Sequence, residues 1–180
     1  MNLLLHICCA PCMIYPLERL KEKGFEVTGF FYNPNIHPLV EYNNRKQAVE
    51  DLSKALDLEV IYPEYRPEEF FRPISRNEAS PGRCPICWEL RLTMTVQAAK
   101  ENNFDFFSTT LLVSPYQDQG LLRGIGEHLD EEENINFYYD DFRPGFRKAH
   151  DEAKSKGIYC QKYCGCMYSE KERCRKSEKH

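Results

Sequence analysis

Five short β-like runs alternate with helical patterns along this chain, and that alternation leaves few folds open to it. The runs are Leu3 to Ile7, Glu26 to Tyr32, Leu58 to Tyr62, Asp105 to Thr110 and Ile135 to Tyr139. Between them the sequence predicts helices from about Pro16 to Lys23, Leu39 to Leu56, Ile86 to Glu101, Gln119 to Leu129 and Pro144 to Lys156. Pro16 is a favoured first-turn residue and Gly24 a good stop. Val49, Leu52 and Leu56 recur at helical spacing, as do Trp88, Leu92, Val96 and Ala99. Strands alternating with helices build βαβ units, hence a parallel sheet with right-handed crossovers and helices on both faces. The expected fold is α/β: a single doubly wound five-stranded parallel sheet of order 3-2-1-4-5, followed by a Cys-rich tail.

A chain of 180 residues suits one domain with one core, so residues 1–180 are expected to form a single α/β unit. Residues 157–180 are expected to be a basic, Cys-rich tail packing over the active site. No apolar run approaches the roughly 20 residues that span a bilayer, and the start lacks a signal-peptide pattern. The expectation is a cytoplasmic protein with no membrane partner. Residues 1–139 hold 13 basic and 21 acidic groups, a net −8, whereas residues 140–180 hold 11 and 7, a net +4. A polyanionic partner would meet the C-terminal part, where Lys171, Arg173, Arg175 and Lys176 cluster.

In a doubly wound sheet, ligands bind beyond the carboxyl ends of the strands, where the strand order reverses. The segments leaving those ends include Cys8 to Cys12, Asn33 to Pro38, Pro63 to Pro85 and Ser114 to Asp118. No GxGxxG or GxxxxGK(S/T) fingerprint is present, and cysteines stand where nucleotide-binding relatives carry a glycine-rich loop.

Nine cysteines in a chain placed in a reducing compartment read better as metal ligation or redox chemistry than as a disulfide framework. Cys8 and Cys9 are adjacent, and both face one site only if the strand has ended and a turn begun. Cys84 and Cys87 form a CxxC at a helix start, where two thiolates grip a metal with help from the helix dipole. Four thiolates suit a structural zinc or an iron-sulfur cluster, and the position where an α/β sheet puts its chemistry favours the cluster. Cys164-Gly165-Cys166 is a different object, because a disulfide across one residue closes a strained ring suited to redox cycling. Asn33, Asn35 and His37 are placed to touch substrate. Tyr116 and Asp118 are placed to supply a proton.

His6-Ile7-Cys8-Cys9-Ala10-Pro11-Cys12, Tyr32-Asn33-Pro34-Asn35-Ile36, Cys84-Pro85-Ile86-Cys87, Thr109 to Pro115 and Tyr163-Cys164-Gly165-Cys166 together resemble the QueH type of epoxyqueuosine reductase. The resemblance runs in order along nearly the whole chain. It implies a nucleotide α-hydrolase-like (HUP, Rossmann-like) fold, a [4Fe-4S] cluster with an adjacent mononuclear iron, and reduction of epoxyqueuosine in tRNA to queuosine with electrons from an unidentified donor. Carried onto this sequence, it makes Cys8, Cys9, Cys84 and Cys87 the cluster ligands and Cys164 with Cys166 a redox-active pair. Cys12, directly after the Cys8-Cys9 turn, is the candidate ligand of the second iron. Two other readings stay open: a zinc-stabilised RNA-binding module, and a metal-free thiol oxidoreductase.

Overall fold

The computed structural model describes the chain through Ser177, with side chains described through Cys174. The side chains of Arg175 and Lys176, part of the basic cluster, lie outside the described residues. Five parallel strands, β1 (Asn2–His6), β2 (Glu26–Phe30), β3 (Val60–Ile61), β4 (Phe106–Thr109) and β5 (Asn136–Phe137), form one sheet in the order β3-β2-β1-β4-β5. The expected order is thus observed. β1 is central, pairing Leu5 with Gly29 of β2 and with Ser108 of β4. Its successive residues Leu3, Leu4 and Leu5 are all fully buried, although alternate side chains point to opposite faces. Both faces are therefore covered, as parallel sheets require.

The helices are α1 (Ala10–Glu22), α2 (Leu39–Ala55), α3 (Glu68–Ile74), α4 (Arg83–Glu101), α5 (Gln119–Glu133), α6 (Phe146–Ser155) and α7 (Met167–Ser177). Helix α1 packs with α2 and α6, and α4 with α5. Three departures from the sequence pattern bear on the site. Helix α1 starts at Ala10 rather than Pro16, with Pro11 filling the first-turn position and Pro16 inside the helix. Helix α4 starts three residues early, so Cys84 and Cys87 occupy its first two turns. Helices α3 and α7 were not expected. Among the described residues no helix is long and apolar enough to cross a membrane.

Candidate active site

β1 ends at His6, and the chain turns at once into α1, whose N-cap is Cys9 in extended conformation. That turn brings consecutive cysteines to one side, with Cys8 Sγ 3.8 Å from Cys9 Sγ. Cys12 follows Cys9 by three residues, almost one helical turn, and so shares its face. The three sulfurs lie within 4.8 Å of one another. Two sulfurs bound about 2.3 Å from one tetrahedral metal stand about 3.8 Å apart, so the pair already has the spacing of a metal site. Thr110, beyond the end of β4, donates its hydroxyl to Cys8 Sγ at 3.3 Å and accepts the Cys8 N–H at 3.0 Å. Hydrogen bonds from Cys12 and Cys9 hold the Cys8 thiol well below the ordinary thiol range, while burial pushes Cys9 up. Gln161 donates to Cys9 Sγ at 2.9 Å.

The second set of thiols comes from two distant segments. Cys84 and Cys87, on one face of α4, line a small cavity of about 30 Å³ together with Cys164 and Cys166. Burial pushes Cys87 up to about 12 and raises Cys84 as well. Cys164 also lines a larger cavity of about 460 Å³, shared with Cys8 and Cys12, so it stands between the two sets. Six of the nine cysteines thus line two adjoining cavities beyond the carboxyl end of β1, and Cys9 joins them through its contact with Cys8. Cys9, Cys160 and Cys174 line neither.

The Cys164-Gly165-Cys166 segment is held by α2 and the loop before it. Arg45, buried, takes Glu41 Oε1 at 2.7 Å and donates to the carbonyls of Cys164 and Tyr163, each at 3.0 Å. The Tyr163 hydroxyl donates to the His37 carbonyl, and the His37 N–H donates to the Gly165 carbonyl at 2.9 Å. Gly165 has φ +143°, and a Cβ there would meet Asn35 Nδ2 at 3.0 Å. The docked loop therefore requires glycine at this position. Helix α7 is tied down next to it: Arg83, at the start of α4, makes two hydrogen bonds to Glu172, at 2.8 and 2.6 Å.

Arg91 carries the main electrostatic feature. It follows Cys84 and Cys87 on the same face of α4 and is fully buried. Its Nε donates to the Cys87 carbonyl and its Nη1 to Asn33 Oδ1, each at 3.3 Å, and Nη2 has no partner. The groups that bear on its charge are the thiols of Cys87, Cys164, Cys8 and Cys166. A buried guanidinium is tolerated only beside compensating negative charge. Thiolates on a metal centre would supply it. The residues present therefore fit an iron-sulfur cluster and a neighbouring metal ion.

The other expected site residues fall in different places. Asn33 is buried between the Ile7 carbonyl, to which it donates at 2.8 Å, and Arg91, so it ties the site's frame together. Asn35 lines the small cavity with Oδ1 unpartnered. The His37 ring is packed against Phe70 and Phe71, and burial pushes it down to about 4. Tyr116 lines the large cavity. Asp118 lines neither cavity; its carboxylate caps α5, accepting the Leu121 N–H at 3.0 Å. Sequence reasoning passed over Arg45, Arg91, His150, Gln161 and Lys162, all of which line the large cavity. Only Arg91 had a readable signal, its place one turn beyond the CxxC on the same helical face.

The chain that builds this arrangement matches known proteins over nearly its whole length. The family model for epoxyqueuosine reductase QueH matches residues 3–172. The chain belongs to this family. It is 39% identical to the epoxyqueuosine reductase QueH of Dehalococcoides mccartyi over 96% of this chain and 94% of that one. It is 36% identical to the one from Thermotoga maritima, over 99% and 94% of the two chains. Like the family, it is an oxidoreductase, an epoxyqueuosine reductase. Among solved structures, a predicted subunit of a tRNA methyltransferase from Methanocaldococcus jannaschii superposes with a TM-score of 0.57 at 11% identity. That match covers 86% of this chain and 74% of the other and speaks to the fold alone.

Proposed function

We propose that this chain removes the epoxide oxygen of epoxyqueuosine in tRNA, leaving the alkene of queuosine, with a [4Fe-4S] cluster and an adjacent iron held by its cysteines. The observation that supports this reading is the convergence of six thiols on two adjoining cavities, with a seventh, Cys9, beside Cys8. Cys8, Cys9 and Cys12 form one thiolate set and Cys84 with Cys87 a second, and the metal groups are held by these five. When bound, they supply electrons singly and a Lewis acid for the epoxide oxygen.

The deoxygenation takes two electrons and two protons, breaks both C–O bonds of the epoxide, forms the C=C bond and releases water. The electrons come from an external reductant. Cys164 and Cys166 store an electron pair as a dithiol and give it up as a disulfide, and Arg45 holds that segment against the large cavity. The protons pass through groups on the cavity wall. His150, with Nε2 buried and unpartnered, lines it.

The test is an anaerobic reaction of iron- and sulfide-loaded protein with a strong reductant and tRNA bearing epoxyqueuosine. The expected product nucleoside has lost one oxygen by mass spectrometry. An iron-loaded protein that leaves the epoxide intact would overturn the proposal.

A further inference from the structure

The large cavity brings thiols, cations and an exposed aromatic ring together, a lining that fits a nucleotide. Thiols of Cys8, Cys12 and Cys164 line it, and at about 460 Å³ it has the size of a small-ligand site. Lys162 and Arg173 also line it. Tyr116 is 83% exposed, more than any other large apolar or aromatic side chain of the described residues. Its ring meets Phe146, a further lining residue, edge-on at 5.9 Å and 85°. The next residue, Gln117, points its amide at Cys164 Sγ, 3.7 Å away, so the loop carrying Tyr116 is joined to the thiols.

On the reading proposed above, the epoxide must reach the thiols. The planar base to which it is attached then lies outward, level with Tyr116. A base taken out of an RNA stack loses its neighbours, and proteins replace them with an aromatic face. The sugar-phosphate on either side of that base carries charges that cations at the cavity would meet. We infer that Tyr116 is the stacking platform for the substrate base, and that the site takes a single unstacked nucleotide whose flanking phosphates are met by Lys162 and Arg173. Tyr116 acts here through its ring, with no part for its hydroxyl.

Tyr116 is exposed and packs into no core, so its variants fold. Binding of epoxyqueuosine-bearing tRNA, measured by fluorescence anisotropy on the iron-loaded protein, gives a readout that does not depend on turnover. Stacking is worth about 1–3 kcal/mol per base, so Tyr116→Ala should weaken binding by about 5- to 150-fold. Tyr116→Phe should bind as the wild type does. The Lys162→Gln/Arg173→Gln double variant should flatten the log-log salt dependence of binding by about 1 to 2. Unchanged affinity in Tyr116→Ala, or equal losses in Tyr116→Phe and Tyr116→Ala, would overturn the stacking role. An unchanged salt slope would overturn the phosphate contacts. A wild type that binds this tRNA through Tyr116 but does not reduce it would contradict the proposed function and leave this inference standing.

Discussion

Arg45 Nη1 donates to the backbone carbonyl of Cys164 at 3.0 Å, joining the N-terminal half of α2 to a cysteine 119 positions later. The guanidinium is buried and its Nε pairs with Glu41, which also accepts from the Tyr159 hydroxyl. Truncating one partner leaves the other charge buried and unpaired, which costs about 3–5 kcal/mol in such pairs. Arg45→Ala should therefore lower the unfolding free energy by about that much, and alkylation of Cys164 should speed up in the folded protein. Urea denaturation and mass-spectrometric thiol mapping check the two halves. A loss under about 1 kcal/mol with unchanged alkylation would mean the segment holds its place without Arg45.

Cys164 lines both cavities, whereas the other thiols line one or neither, which suits it to exchange electrons with both sets. Cys164→Ser should keep the visible spectrum of the loaded protein and complete a first turnover but fail at the second. In the wild type, Cys164 and Cys166 should resist alkylation after oxidation. Loss of iron in Cys164→Ser would make it a ligand instead.

The buried Arg91 cation sits among thiols of both sets. Removing a positive charge beside a redox centre disfavours the state with the added electron. Arg91→Gln should thus lower the midpoint potential of the loaded protein, and Arg91→Lys should bring it back toward the wild type. Spectroelectrochemical titration reads this directly. A potential that does not move in Arg91→Gln would assign the guanidinium to packing alone.

The His37 ring sets a pH dependence of stability. Burial holds it at about 4, against about 6.5 for an unfolded histidine, so between those values the unfolded chain binds more protons. Stability is therefore fully present above about pH 6.5 and falls as pH drops toward 4. The slope from this residue is at most about 1.4 kcal/mol per pH unit, and less to the extent that water reaches the ring. His37→Phe keeps the stack on Phe71 and should flatten that slope in chemical denaturation between pH 4 and 6.5. An unaltered slope would place the dependence elsewhere.

The sheet was legible because its signal is periodic and local: the β1 run Leu3 to Leu5 and the stripe Trp88, Leu92, Val96 each report their own burial. Helix α3 was not, since seven residues bounded by Pro67 and carrying Pro73 give too few turns for a period to show. The start of α1 was misplaced because two prolines competed for one role, and Pro11 took the first turn. Within the site, the Cys8, Cys9 and Cys12 grouping follows from a strand-to-helix turn and could be read from neighbouring residues. The meeting of Cys84 and Cys87 with Cys164 and Cys166 could not, because it depends on Arg45, Tyr163 and Gly165 docking a distant segment. Glu41 and Arg45 themselves look in sequence like a solvated i,i+4 pair.

The central claim is that these thiols hold iron and sulfide. It is tested most directly by measuring both, per chain, in anaerobically purified and reconstituted protein beside its Cys8→Ala and Cys174→Ala variants. The account predicts about five irons and about four sulfides in the wild type, for one [4Fe-4S] cluster and one further iron. It predicts the same in Cys174→Ala and loss of most of both in Cys8→Ala. A wild type with zinc and no sulfide, or a Cys8→Ala variant with its full complement of iron, would contradict it.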